Sequence, residues 1–430
     1  MKRKVIYSLM VLFIALSAVG CTNNDSQKNA TESTGAEREK LDVWYVHSGA
    51  EAEVQENAIS KYNSMQEKYE AVGLSVSDKQ KIIVAMSGSD APDAIICSNQ
   101  DVIAYAGSEL LTNISELDAS DDTFALEDNF SAQAIATNTI NGNAYAVPHS
   151  SMIIQMFYNK DILEELGYEE PPKTMEELFT IAVEATELDE NGNITRVGYP
   201  LFPLASARQE LIYAFSGAWW NGNDLTPDDP NILDSLNMNM KYRDMYGIDK
   251  VQQFTATANT NRYTENDMFF AGKQLFRFDG PWLAAMTDTF NSDVNYGVAL
   301  IPGIGGEETM GRSRYETNGV VIPVVADQKE GAWDFAKTYS TGEIIKEVLI
   351  GLGNLPCQPD LYEDPDILAL PNYPIFIEAL KAENGILYPT INDLAKYTSL
   401  IEEHLDYVYN GIMTPEEAMT ALKEQSETLK

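Results

Sequence analysis

Cysteine and histidine are scarce in this chain, with three of each in 430 residues. The cysteines, Cys21, Cys97 and Cys357, form no C-x-x-C pair, which excludes a zinc ribbon and a thioredoxin-type redox site. The histidines, His47, His149 and His404, stand in no H-E-x-x-H spacing, which argues against a zinc hydrolase centre and leaves no metal site to name. Positive charge is also in short supply. Lys and Arg total 29 against 66 Asp and Glu, a formal net charge of -37. Such a surface repels nucleic-acid phosphates and anionic lipid headgroups. Nucleic acid is therefore excluded as a partner, and any membrane attachment needs another device. No G-x-x-x-x-G-K-[ST] loop is present to bind ATP, and the cluster Gly303-Ile304-Gly305-Gly306 has no dinucleotide spacing. No cofactor is implied, and no internal repeat has a solenoid period.

Apolar residues, by contrast, make up 44% of the chain and aromatics 10%, enough for well-packed globular domains. The length points to two of them. The N-terminus reads as an address. Lys2, Arg3 and Lys4 precede an apolar run over residues 5–19, too short for a comfortable membrane span and flanked like a signal peptide. Leu16-Ser17-Ala18-Val19-Gly20-Cys21 resembles a bacterial lipobox, although Ala18 stands where that pattern usually has Leu. The resemblance implies cleavage after residue 20 and acylation of Cys21; an ordinary signal peptide with an incidental cysteine is the alternative. Loss of residues 1–20, with three basic and no acidic side chains, would take the net charge from -37 to -40. Residues 21–40 are polar and read as a flexible tether.

Residues 41–46 (LDVWYV) predict a first strand, with His47-Ser48-Gly49 as the loop behind it. Val54, Ala58, Ile59, Tyr62 and Met65 are spaced for a helix over 51–69. Residues 81–86 fit strand or helix. Residues 94–97 read as a buried strand, 98–101 as a polar loop at its carboxyl end, and 102–111 as a helix. This alternation predicts an α/β lobe with a largely parallel sheet, in which ligands bind beyond the carboxyl ends of strands. Further on, two extended runs within 144–159 are split by Pro148-His149-Ser150-Ser151. Thr174-Met175-Glu176-Glu177 fits a capping box. Residues 189–193 form a hairpin turn, since Ile194 occupies the place where a calcium loop needs Gly. Strands are expected at 274–278, 295–301 and 319–325, a helix at 329–339, and mostly helix from about Tyr373.

Four stretches then carry a resemblance. The first is Gly88 to Ile96 (GSDAPDAII) with Gly107 to Leu111 (GSELL). The second is Asn143 to Pro148 (NAYAVP), Met156 to Lys160 (MFYNK) and Pro172 to Leu178 (PKTMEEL). The third is Phe269 to Lys273 (FFAGK) leading to Gly280-Pro281-Trp282. The fourth is Val294 to Val298 through Pro302-Gly303, then Asn318 to Pro323 (NGVVIP) and Ala332 to Ala336 (AWDFA). In order and spacing, from about residue 41 to the end, the chain resembles the extracellular solute-binding proteins of bacterial ABC importers, in the branch that includes the maltose-binding protein. The resemblance implies a two-lobed α/β fold of the periplasmic-binding-protein type II, with a hinge and an interlobe ligand cleft. Its crossing segments match residues 144–159 and 295–301. One lobe would hold 41–147 plus 302–347, the other 148–301 plus 348–430. It also implies a monomeric, non-enzymatic carrier, lipid-anchored at the extracellular face. Such a carrier closes on a carbohydrate and hands it to the transmembrane subunits of a permease driven by a separate ATPase.

A saccharide has polar edges and apolar C–H faces, so its site needs flat aromatic platforms and planar hydrogen-bonding groups. Trp219 and Trp220 stand beside Asn221 and Asn223, one expected in the core and the other at the cleft. Trp282 follows a strand end and matches a tryptophan that often stacks on a sugar ring in the family; a packing role is its alternative. His47, Ser48, Glu51, Asn99, Gln100, Ser150, Asn318 and Gly319 fall in segments the family uses around its cleft, and Tyr397 on a helix that approaches it. For Glu51 a solvated first helical turn is the competing reading. Trp44, Trp333 and Cys97 are expected in the core. Maltose-type members commonly carry a tryptophan and a carboxylate at the positions of Cys97 and Gln100, which argues against maltose itself. Two rivals remain open: a secreted lipoprotein enzyme such as a glycoside hydrolase, which needs two carboxylates about 5–9.5 Å apart, and a carrier of glycerol phosphate or another non-sugar solute, the candidate residues including few of the Arg or Lys that phosphate prefers.

Overall fold

The computed structural model describes residues 38–199, 209–290 and 292–429. The leader, the lipobox with Cys21 and nearly all of the tether lie outside them. Strand β1 (Glu39–Tyr45) pairs in parallel with β2 (Tyr69–Ser75) on one side and β3 (Ala94–Ser98) on the other. Helix α1 (Ala50–Met65) connects the first two and α2 (Lys79–Met86) the second and third. Glu39 and Lys40 sit opposite Tyr69 and Glu70, so the strand begins inside the expected tether. Pairing of the backbone needs nothing from these two exposed side chains. The helix expected over 51–69 ends at Met65, and Tyr69–Ser75 is a strand. Tyr69 and Ala71 alternate inward while Glu70 and Val72 face water, a period of two. The ambiguous 81–86 segment is helical because Asp78 caps it, accepting from the backbone N–H of Gln80 and Lys81. Ser98 does the same for α3 (Asn99–Gly107), accepting from Asp101, so the loop expected at 98–101 is that helix's first turn.

A hairpin, β4 (Thr139–Ile140) and β5 (Asn143–Ala144), turns on Asn141 and Gly142, both at positive φ, as two-residue hairpin loops require. Then come β6 (Val147–Ile153) and β7 (Gln155–Asn159), which part at Ile154 and not at 148–151. Pro148 is tolerated inside β6 because it faces Gly319 where the register slips, at a bulge. Gly319 is required there. A Cβ on it would lie 2.9 Å from the Ala146 Cβ and 3.1 Å from the Val147 carbonyl oxygen. The capping box at Thr174 is formed, and β8 (Glu187–Leu188) with β9 (Ile194–Arg196) make the hairpin predicted around residues 189–193. The remaining strands are β10 (Phe276–Asp279), β11 (Tyr296–Ala299), β12 (Tyr315–Val321) and β13 (Leu355–Pro356).

Two main sheets result, one in the order β13-β6-β12-β3-β1-β2, in which only β3-β1-β2 is parallel, so that it is mixed and not largely parallel as expected, the other β10-β7-β11 with β7 antiparallel to both neighbours. Strand alternation sends Leu41, Val43 and Tyr45 against Tyr62, Phe335 and Val348 on one face of the larger sheet. Ile95, Cys97 and Val321 meet Ile82 and Val102 on the other. Trp333 is buried with its indole N–H on Asp121 at 2.9 Å, whereas Trp44 is only half-buried. Cys97 and Cys357 are free thiols in the interior. Among the described residues no helix is long and apolar enough to cross a membrane.

The chain passes between the sheets at Ile154 and returns between β11 and β12. Because β6 and β13 hydrogen-bond in the larger sheet, the change of sheet falls six residues beyond the expected boundary at 147/148. The crossings are tied together. The Gln155 side chain, wholly buried, donates to the Gly311 carbonyl at 3.0 Å and accepts from the Ile301 N–H at 2.9 Å. Ser313 Oγ accepts from the Ile154 N–H at 3.0 Å, and Ser313 and Tyr315 exchange backbone bonds with Ile386, a third strand of chain at the same place. Replacing Gln155 by Ala strands two buried backbone groups. The expected result is a loss of about 2–4 kcal/mol of unfolding free energy in urea. A midpoint equal to that of the parent would show the tie to be dispensable.

Candidate functional site

The crossing places one face of β12 between the two sheets. Arg314, Glu316 and Asn318 alternate with buried Tyr315, Thr317 and Gly319, so the three polar side chains share a face. Asn318 donates to Ser150 Oγ at 3.2 Å, and Gln100 to Glu316 at 2.9 Å. Arg314 pairs with Glu316 at 3.3 Å and with Glu210 of the helix Glu210–Ala214 at 3.1 Å, and donates to the Tyr388 hydroxyl at 3.1 Å. Glu210 is 4% exposed. Burial pushes its carboxyl up to about 7, against the opposing pull of Arg314. The charges of Glu316, on the larger sheet, and of Asp279, on the smaller, push it the same way as burial, more weakly.

On the smaller sheet the strand end is organised by ion pairs. Arg277 makes two 2.8 Å contacts to Asp267 and one of 2.7 Å to Asp279, all three residues being buried. Tyr263 donates to Asp279 at 2.8 Å, with the guanidinium groups of Arg262 and Arg277 4.7 and 4.9 Å from its ring centre. Tyr263 has φ 55°, which costs a non-glycine residue about 1–2 kcal/mol. Its N–H is held by Asp267 at 2.9 Å, which offsets that strain. Trp282 starts the helix Trp282–Thr289, half-buried, with its indole N–H 3.4 Å from the Tyr263 hydroxyl. The ring lies back over Gly280, where a Cβ would come within 2.1 Å of it.

Other predicted residues form separate groups. His47 is half-buried, with Nδ1 3.3 Å from Gln55 Nε2; burial lowers its pKa and Glu51 opposes this. Ser48 and Glu51 are exposed. Asn99 is buried, neither polar atom of its side chain having a partner among the described residues. Trp219 and Tyr397 lie inside one apolar cluster, the Tyr397 hydroxyl donating to the Trp219 carbonyl at 3.2 Å. Tyr397 was expected at a cleft, but it belongs to the inward face of its helix, in line with Ile401, Leu405 and Val408. Trp220 lines a cavity of about 850 Å3 with Phe130, Ile135, Asn141, Asn223 and Ile391. Among the described residues no cluster of three His, Cys, Asp or Glu could hold a metal ion. Arg314, Glu316, Glu210, Tyr388, Arg262 and Tyr263 were not foreseen. For Arg314 and Glu316 the period-two spacing with Asn318 is a usable signal; for the others the sequence offers none.

The profile of bacterial extracellular solute-binding proteins matches residues 58–375. A maltotriose-binding protein of Pyrococcus abyssi is 24% identical over 335 residues, 76% of this chain and 68% of that protein. A probable ABC transporter-binding protein of Deinococcus radiodurans is 24% identical over 301 residues, 67% of this chain and 69% of that protein. The solved structure of CpMnBP1 with mannotriose bound superposes with a TM-score of 0.72 at 21% identity, covering 91% of this chain and all of that one. A cyclo/maltodextrin-binding protein complexed with maltotetraose gives 0.69 at 20% identity, covering 92% and 100%. These likenesses show the two-lobed α/β fold of the periplasmic-binding-protein type II.

His149 gives the region a pH dependence. It is fully buried against Tyr339, neither ring nitrogen has a partner among the described residues, and burial, with a smaller push from His47, lowers its pKa from 6.5 to about 3. Between those values the unfolded chain binds the proton and the folded chain does not. Stability is therefore complete above pH 6.5 and is lost as pH falls toward 3, by up to ~1.4 kcal/mol per pH unit from this group. Urea denaturation of the parent and of His149→Gln at pH 7, 5.5 and 4 should give a shallower slope for the variant. Parallel slopes would remove His149 as the source.

Proposed function

Because this chain belongs to the bacterial extracellular solute-binding proteins, we propose that it binds an uncharged oligosaccharide between its two lobes and delivers it, chemically unchanged, to an ABC permease. One lobe is built on the six-stranded sheet and the other on the three-stranded sheet, with the crossings at 154 and 300–314 and the segment near Ile386 as the hinge. The observation that carries the reading is the set of polar groups that both sheets present around Glu210: on one side Gln100, Glu316 and Arg314, linked by contacts of 2.9 and 3.3 Å and reaching Glu210 at 3.1 Å, and on the other Arg262 and Asp279, whose charges act on Glu210 and whose neighbours are Tyr263 and Trp282. Amides and carboxylates suit sugar hydroxyls, and an indole face suits a sugar ring. Arg314 and Arg262 are matched by carboxylates, which leaves little uncompensated positive charge for a phosphate and speaks against glycerol phosphate.

A ligand that touches both lobes shifts the hinge toward closure by its differential affinity for the closed form. The protein performs no reaction; transport energy comes from a separate ATPase. The family is extracellular, and the lipobox-like stretch supports an acyl anchor on Cys21 at the outer face of the membrane. Supporting the saccharide reading, the relatives and neighbours include binders of maltotriose, mannotriose and maltotetraose.

The test is a thermal-shift screen over mono- and oligosaccharides with glycerol 3-phosphate as control, followed by calorimetry on the best sugar and recovery of that sugar intact. Trp282→Ala should weaken binding by about 5- to 150-fold, the equivalent of about 1–3 kcal/mol for an aromatic platform. A shift with glycerol 3-phosphate alone, or sugar cleaved on incubation, would overturn the proposal.

A further inference from the structure

The indole of Trp282 is held at both ends. Behind it, the absence of a side chain at Gly280 lets the ring lie against the strand end; a Cβ there would sit 2.1 Å from two ring carbons. At its polar edge, Nε1 meets the Tyr263 hydroxyl at 3.4 Å. That hydroxyl is itself fixed. It donates to Asp279 at 2.8 Å and accepts from Arg262 at 3.0 Å, while the Arg277 guanidinium lies against the ring. Asp279 and Asp267 clamp Arg277 from two sides inside the protein. A buried ion cluster of this kind is costly to break and therefore stiff. A strained loop residue locked by such a cluster is a device for holding one atom in place.

We propose that Tyr263 is the positioning residue for Trp282: its hydroxyl, anchored through Asp279 to Arg277 and Asp267, sets the rotation of the indole so that its free face is preset for a sugar ring before ligand arrives. The positioning itself is a property of the ligand-free protein; its effect on affinity rests on the reading that Trp282 is a saccharide platform. Preset aromatic surfaces avoid the ordering cost that a loose side chain would incur on binding.

Tyr263→Phe keeps the ring among the two arginines and removes only the hydroxyl. Gly280→Ala displaces the indole from the other side and leaves Tyr263 untouched. In ligand-free protein labelled with 15N-tryptophan, the indole N–H signal of Trp282 (assigned by its loss in Trp282→Phe) should shift in both variants and exchange faster with solvent, while the urea midpoint of Tyr263→Phe stays near that of the parent. With the best-binding sugar of the screen, or with mannotriose if the screen ranks none first, Tyr263→Phe should lose about 3- to 10-fold in affinity, the range for one neutral hydrogen bond. An indole signal and exchange rate unchanged in Tyr263→Phe would overturn the positioning role. So would affinity lost in Trp282→Ala and kept in Tyr263→Phe. A shifted indole signal with affinity unchanged in both Trp282→Ala and Tyr263→Phe would instead leave the positioning standing and remove Trp282 from the binding site.

Discussion

Everything between the two sheets depends on how few strands of chain connect them and on how those strands are held to one another. Gln155 lies at the centre of that connection. Its amide is buried, and it bonds to backbone on both sides of the returning crossing. Ser313 adds a bond to Ile154, and Ile386 brings a third segment alongside. A backbone that crosses a gap cannot use a sheet ladder to satisfy its polar groups, so side chains have to do it. The solution leaves the crossings tied to one another, which is what two bodies need if they are to rotate without shearing apart.

The polar stripe of β12 follows from the same constraint. Immediately after the crossing, strand alternation resumes, and every second residue must point into the space between the sheets. Arg314, Glu316 and Asn318 take those places. Once an arginine is there, carboxylates must approach it, which brings Glu210 and Glu316 together and makes Tyr388 a neighbour. The smaller sheet answers with its own balanced set of two arginines and two aspartates. Charge is matched on each side, and hydroxyls, amides and one indole edge complete the surface.

Much of this was legible in the amino-acid order. The parallel α/β start, the capping box at Thr174, the hairpin at 189–193 and the helix Lys329–Tyr339 come from local signals that tertiary packing did not override. Errors clustered where local and long-range preferences compete. The helix expected over 51–69 stops at Met65, and Tyr69 belongs to the strand Tyr69–Ser75, which its pairing with β1 holds extended. Starting β12 at residue 319 in place of Tyr315 hid the register that links Arg314 and Glu316 to Asn318. Glu210 is one acidic residue among 66 and carries no local mark; its role comes from burial, which depends on the whole fold. Tyr397, expected at a cleft, instead turns its side chain inward from its helix, a direction that only the packing of that helix decides.

The interior location of the two described thiols has an effect on durability. Cys97 is 1% exposed and Cys357 is inaccessible, and burial disfavours the thiolate of each. Oxidants and small disulfides attack through the anion and need access to sulfur. Neither thiol is therefore open to oxidants or to an adventitious disulfide between these two positions, and their sulfur chemistry stays silent in the folded protein.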